Sequence, residues 1–154
     1  CHLGHNCLLG NGIVMSNAIQ AAGHVVIEDR AVIGGCLGIH QFVHIGGLAM
    51  IGGMTRVIRD IPPYAMVEGH PGRLRGLNRV GLQRSGLVDR HEGREFKQLK
   101  DVWNLLYRSD CLMAEALEQA RSLELLPAAD HLCSFLEAST AKGRRGPTPA
   151  LSHR

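Results

Sequence analysis

Aromatic side chains are scarce in this sequence. Three Phe, two Tyr and one Trp make up 4% of 154 residues, which excludes a core built on bulky rings. Charge of one sign is also scarce: the net charge is +3, with no dense Lys/Arg stripe interleaved with aromatics, so there is no nucleic-acid footprint. No apolar run reaches transmembrane length and no charged-then-apolar leader opens the chain, which argues against stable membrane insertion. The five cysteines (Cys1, Cys7, Cys36, Cys111 and Cys133) form neither a CxxC pair nor an even framework. They read as reduced, mostly buried thiols of a cytoplasmic protein. Cys1 falls inside a repeat, so the chain reads as a piece of something longer.

What the sequence does have is small residues, with 19 glycines, and a clock of six. Counting from Leu3 in sixes gives Leu3, Leu9, Met15, Ala21, Ile27, Ile33, Ile39, Ile45, Ile51 and Val57, all apolar. The residue after each is mostly small, and the residue two before is mostly small or β-branched. A helix of 3.6 residues per turn drifts off a period of six, and a plain strand has period two. A short strand that turns at a small residue and repeats fits the pattern. Three such sides make an 18-residue triangular coil, the unit of a parallel β-solenoid whose anchors point inward.

The clock stops at Asp60-Ile61-Pro62-Pro63-Tyr64, where two prolines that cannot donate ladder hydrogen bonds are expected to end the sheet. One more extended piece is expected at Ala65-Met66-Val67. Helical spacing follows at Phe96, Leu99, Val102, Trp103, Leu106 and Tyr107, again at Leu112, Ala116, Leu117 and Ala120, and over about Ala128–Ser139. Ser109-Asp110 is placed to cap the second helix. The expected organisation is solenoid coils over 1–68, a small α-helical C-terminal domain over 69–140 and a disordered basic tail over 141–154.

A period of 18 stacks residues without further information. His5, Gly23 and Gln41 share one column, Gly4, Ala22 and His40 the one before, and Asn6, His24 and Phe42 the one after. His5, His24, His40 and Gln41 therefore gather on one edge of the stack, within roughly 10 Å, with His2 just upstream. Gly23 is expected to leave a gap between His5 and Gln41 through which a ligand enters. Histidine suits general-base work on a hydroxyl near neutral pH. Zinc is the other use of clustered imidazoles, but no Asp, Glu or further His completes a ligand set, and no metal is expected.

Five segments then carry a resemblance: His2-Leu3-Gly4-His5-Asn6-Cys7, Ala22-Gly23-His24, Ile39-His40-Gln41-Phe42, Asp60-Ile61-Pro62-Pro63-Tyr64 and Gly76-Leu77-Asn78-Arg79-Val80-Gly81-Leu82-Gln83-Arg84. In order and spacing they resemble the UDP-N-acetylglucosamine O-acyltransferases that begin lipid A synthesis, over about residues 1 to 140. The resemblance implies a left-handed parallel β-helix assembled as a homotrimer in the cytoplasm. It implies transfer of a 3-hydroxyacyl chain from acyl carrier protein to the 3-hydroxyl of UDP-N-acetylglucosamine, with the phosphopantetheinylated carrier supplying the chain and no further cofactor.

By the same resemblance His5 is the general base and the Gly23 N–H holds the oxyanion. His2, His24, His40, Gln41, Asn78 and Arg84 contact substrate, and Gly53 sits where acyl length is measured. Asn6 stands where the family commonly has Asp, and Val80 and Ser85 replace positions that often carry Glu and Arg. His followed by Asn also resembles the N-acyltransferase that acts later in the pathway, which lacks the Gly-Leu-Asn segment and the His-Gln-Phe turn. The remaining alternative is a catalytically inert trimeric fragment.

Overall fold

The computed structural model describes residues 1–151. The solenoid is built from three parallel sheets, one per side. The first joins β1 (His2–Leu3), β4 (Ile19–Ala21), β7 (Leu37–Ile39) and β10 (Arg56–Val57). The second joins β2 (Leu8–Leu9), β5 (Val26–Ile27) and β8 (His44–Ile45). The third joins β3 (Val14–Met15), β6 (Val32–Ile33), β9 (Met50–Ile51), β11 (Ala65–Gly69) and β12 (Gly72–Leu77). Leu3 pairs with Ala21, Ala21 with Ile39 and Ile39 with Val57, the 18-residue register expected from the hexads.

The corners carry a second clock that hydropathy does not reveal. Asn6, Gly12, Ala18, His24, Arg30, Cys36, Phe42, Leu48 and Met54, six apart, all have φ between 56° and 66°. All but one are non-glycine, and left-handed backbone costs each of them on the order of 1 kcal/mol. The inward column offsets that cost: Ala21, Ile27, Ile33, Ile39, Ile45, Ile51 and Val57 are each at most 3% exposed. Leu3 and Leu9, at the end of the stack, remain exposed.

The prolines do not end the sheet. Pro62 and Pro63 occupy a corner, where no ladder N–H is needed, while Ile61 still bridges Ile45 and Met66 pairs with Met50. The offset at both pairs is 16 rather than 18, so the last coil is two residues short. β11 then folds back on β12 as an antiparallel hairpin, with Glu68 opposite Arg73, so the boundary expected at residue 68 falls inside a single hairpin.

Beyond it lie α1 (Arg79–Arg84), absent from the hydropathy pattern, an irregular 3-10 segment (Leu87–Gly93), α2 (Arg94–Tyr107), α3 (Met113–Arg121) and α4 (Pro127–Ser139). Ser109 bonds the Leu105 carbonyl at the end of α2, so it finishes that helix instead of capping α3. The tail is ordered where described. Thr148 N donates to the Asp60 carbonyl and Leu74 N to that of Pro149, which adds the tail to the solenoid edge. The part of the expected disordered tail over 152–154 lies outside the described residues. The cysteines also differ from expectation: only Cys133 is buried, Cys1 and Cys36 are exposed, and all five are unpaired.

Two carboxylates dock the helices on the coils. Asp60, 4% exposed, accepts from His44 N at 2.8 Å, Ser139 Oγ at 2.8 Å and Arg144 Nη2 at 2.6 Å. Glu28 accepts from Gly47 N at 2.8 Å, and the same oxygen lies 2.7 Å from His131 Nε2 of α4. Its other oxygen lies 2.8 Å from His44 Nε2, a charge contact out of line for a hydrogen bond. Burial alone would raise the Glu28 carboxyl, but His131, His44 and Gly47 together hold it well below the ordinary carboxylate range. His131 Nδ1 in turn lies 3.0 Å from the Tyr64 hydroxyl, which burial, with Glu95 and Glu28, pushes up to about 12.

A folded-state value below the ordinary 4.5 means that the Glu28 contribution is complete above that pH and is lost as pH falls below it. Glu28→Gln is therefore expected to lower stability by about 2 kcal/mol at pH 7. In urea unfolding the gap between variant and parent should shrink steadily below pH 4.5. A gap independent of pH would show that the carboxylate charge is not what clasps α4.

Candidate functional site

The first corner of the solenoid stacks His5-Asn6, Gly23-His24 and Gln41-Phe42 one above another. His24 N donates to the His5 carbonyl at 2.9 Å and Phe42 N to that of Gly23 at 3.1 Å, so the corner backbones are tied column to column. The side chains form a ladder. The His5 and His24 rings meet edge to face at 5.0 Å between centroids, and His24 stacks on Phe42 at 4.8 Å and 14°. Phe42 is 57% exposed, so it supports His24 from the solvent side and not from the core. The 18-residue period already sets Phe42 in the column of His24, and the corner geometry adds that its ring stacks on the imidazole.

Gly23 does not leave an open gap. A Cβ built on it would lie 2.8 Å from His5 Nε2 and 2.9 Å from Cε1, because the His5 imidazole leans over the glycine and fills the space itself. The close approach continues below: a Cβ on Gly4 would lie 2.6 Å from the Gly23 nitrogen. Among the described residues the Gly23 N–H donates to no protein acceptor. His5 Nδ1 is 3.0 Å from Asn6 Oδ1. An amide oxygen can only accept, so Nδ1 carries the proton and Nε2 is left as the basic nitrogen, over Gly23.

His40, one residue before the corner, is 2.7 Å from Arg145 Nη1 of the tail. A guanidinium only donates, so His40 Nδ1 accepts and Nε2–H is the proton-bearing nitrogen of the neutral ring. Its 3.3 Å approach to the Gln41 carbonyl is then a contact and not a hydrogen bond. His2 lies on the adjoining flat side, where it lines a groove of about 380 Å³ with Gln20, His40 and Arg56. Gln41 is exposed at the corner itself. Five expected site residues besides His2 (His5, Gly23, His24, His40 and Gln41) thus share one corner. Among the described residues no group of three His, Cys, Asp or Glu is placed to hold a metal ion.

The other expected residues lie elsewhere on the prism. Asn78 is 6% exposed and engaged at both ends of its amide: Oδ1 accepts from Gly81 N at 3.1 Å, capping α1, and Nδ2 donates to the Leu48 carbonyl at 2.9 Å. Its side chain pins α1 to the second corner, a structural task that the motif alone does not disclose. Arg84, the last residue of α1, is exposed on that helix. Gly53 is exposed beside Met54 at the third corner, over Gly35. Within one chain these positions do not converge with the imidazoles.

The family profile described as UDP-N-acetylglucosamine O-acyltransferase, domain 2, matches residues 60–148. The acyl-[acyl-carrier-protein]–UDP-N-acetylglucosamine O-acyltransferase of Gloeothece citriformis is 46% identical over 149 residues, 96% of this chain and 52% of its own length. That of Anaeromyxobacter sp. (strain K) is 42% identical over 90% of this chain and 52% of its own.

Among solved structures, the UDP-N-acetylglucosamine acyltransferase of Arabidopsis superposes with a TM-score of 0.87 at 35% identity, covering 96% of this chain and 52% of that one. The Campylobacter jejuni enzyme superposes at 0.84 and 31% identity, over 99% of this chain and 56% of that one. The chain spans about half the length of the curated relatives it matches. With the profile match covering more than half of its residues and relatives of one description along nearly all of it, this chain belongs to the UDP-N-acetylglucosamine O-acyltransferase family.

Proposed function

We propose that this chain is the C-terminal half of an O-acyltransferase that moves a 3-hydroxyacyl group from acyl carrier protein to the 3-hydroxyl of UDP-N-acetylglucosamine, with His5 as general base. The observation that carries the reading is the His5 imidazole, oriented by Asn6 and leaning over Gly23 with Nε2 unprotonated. In this mechanism Nε2 takes the proton of the sugar hydroxyl as its oxygen attacks the thioester carbon. The unengaged Gly23 N–H donates to the developing oxyanion. The C–S bond then breaks, and the imidazolium returns its proton to the departing thiolate. This chemistry requires neither metal nor cofactor beyond the carrier's own arm.

The separation of the remaining residues supports a homotrimer with clefts between neighbouring copies. Asn78 and Arg84 lie by the second corner and Gly53 on the third, so only a second copy packed against the first corner brings them to the imidazoles. Closed rotational symmetry is the usual outcome for a repeated flat-sided unit. In that cleft His2, His24, His40 and Gln41 position sugar nucleotide and acyl chain, Arg84 pairs with phosphate, and Asn78 acts by holding α1 in place. Gly53 leaves the acyl groove open at the end of the chain. The family resemblance supports an enzyme acting in the cytoplasm; no helix among the described residues is long and apolar enough to cross a membrane.

Three substitutions in the full-length protein test this reading by turnover of UDP-N-acetylglucosamine with a 3-hydroxyacyl carrier. His5→Ala is expected to lower kcat by about 10³-fold or more with an unchanged melting temperature; near-normal turnover would remove His5 as the base. Gly23→Ala meets a movable ring and not backbone, so it should fold normally and lose about 100-fold in kcat through the displaced imidazole. Asn6→Asp places a carboxylate on Nδ1, and the acid limb of its kcat/KM profile should move up by about one pH unit relative to the parent. An unmoved limb would mean that the residue titrating in that limb is not the one Asn6 orients.

A further inference from the structure

The C-terminal tail passes close to the first corner, and between the two lies a cleft of about 440 Å³. Gln41, Phe42, Val43 and Ile58 line it from the solenoid, and Arg59 and Arg145 bring guanidinium groups to it. Asp60, the one carboxylate on its wall among the described residues, is buried and committed to His44 N, Ser139 and Arg144. Arg144 is thereby neutralised. The ion pairs among the described residues include neither Arg59 nor Arg145.

Both free guanidiniums are nonetheless held in place. Arg59 Nη1 donates to the Arg145 carbonyl, which ties the two arginines together across the cleft. Arg145 Nη1 reaches His40 Nδ1 at 2.7 Å and connects them to the imidazole corner. Two positioned, uncompensated forks beside an amide side chain make a site for an anion of high charge that presents paired oxygens. The apolar strip of Phe42, Val43 and Ile58 suits the neutral body attached to such an anion, and the volume is that of a small-ligand site.

We propose that this cleft is a phosphate subsite, in which Arg59 and Arg145 hold a phosphate or diphosphate group of a substrate next to Gln41 and His40. The inference rests on the proposed acyl transfer for the identity of that substrate, because both reactants of the reaction carry such a group. One source is the diphosphate of the sugar nucleotide and the other is the phosphodiester of the carrier's pantetheine arm. In either case the tail is part of the substrate site.

Calorimetric titration of the intact protein with inorganic pyrophosphate, UDP-N-acetylglucosamine, 4′-phosphopantetheine and unphosphorylated pantetheine tests this directly. In the doubly substituted Arg59→Gln/Arg145→Gln protein, pyrophosphate is expected to bind about tenfold more weakly or worse. Pantetheine binding should not change. An equal loss for UDP-N-acetylglucosamine assigns the cleft to the nucleotide, and an equal loss for 4′-phosphopantetheine assigns it to the carrier's arm. Arg145→Lys, which keeps the charge and loses the fork, should fall between parent and double variant, guarding against a fold defect.

Pyrophosphate affinity that is unchanged in the double variant, or absent from the parent, overturns the proposal. The pyrophosphate measurement needs no acyl transfer. A protein that binds it through these arginines yet fails to acylate sugar nucleotide would sink the enzymatic reading and leave the subsite standing.

Discussion

The parallel ladder with an offset of 18 residues is the constraint on which everything else in this molecule depends. It sets equivalent residues one strand spacing apart, roughly 4.8 Å, so any side chain at a corner has the next coil's corner directly over it. At that spacing an imidazole leans over the neighbouring column position only if that position has no Cβ, and Gly23 is the position under His5. The same spacing brings the rings of His5, His24 and Phe42 into one ladder. The left-handed corner backbone that makes the stacking possible is unfavourable for histidine, asparagine and phenylalanine, and it persists because the isoleucine column inside is dry.

Where the ladder slips, the rest of the chain attaches. The last coil pairs at an offset of 16, and the missing two residues bring Asp60 inward, where a buried carboxylate needs several donors. It finds them in His44 of the coil, Ser139 at the end of α4 and Arg144 of the tail. The end of the solenoid, the helical segment and the tail therefore share one anchor. The tail anchored there runs past His40, and a tail arginine becomes part of the corner that carries the imidazoles.

A three-sided prism also separates residues that lie close in sequence. Positions twelve apart in the chain stand on different corners, so Gln41 and Gly53 face different directions although they share a coil. Asn78 shows a related effect: a residue named by a family motif is buried, with both ends of its amide used to cap α1 and hold it to Leu48. Its conformational role and any role beside substrate act through the same helix, whose last residue is Arg84.

Much of this was legible without coordinates. Ten apolar anchors at intervals of six admit one economical backbone, and that backbone determines which residues share a column, so the gathering of His5, His24, His40 and Gln41 followed from arithmetic. The helices α2, α3 and α4 were visible from spacing because each buries one face.

The tertiary structure alone decided the rest, since it turns on contacts between segments far apart in the chain. It placed the His5 ring in the space expected to be open over Gly23, put the prolines in a corner and not at a sheet's end, and paired Arg145 with His40 across 105 residues. It also drew the expected disordered tail over 141–151 onto Asp60 and Leu74, because the slipped coil leaves backbone and carboxylate groups there that only a distant segment satisfies. Local pattern records what each residue prefers, and no local pattern records which unpaired donor will arrive from the other end of the chain.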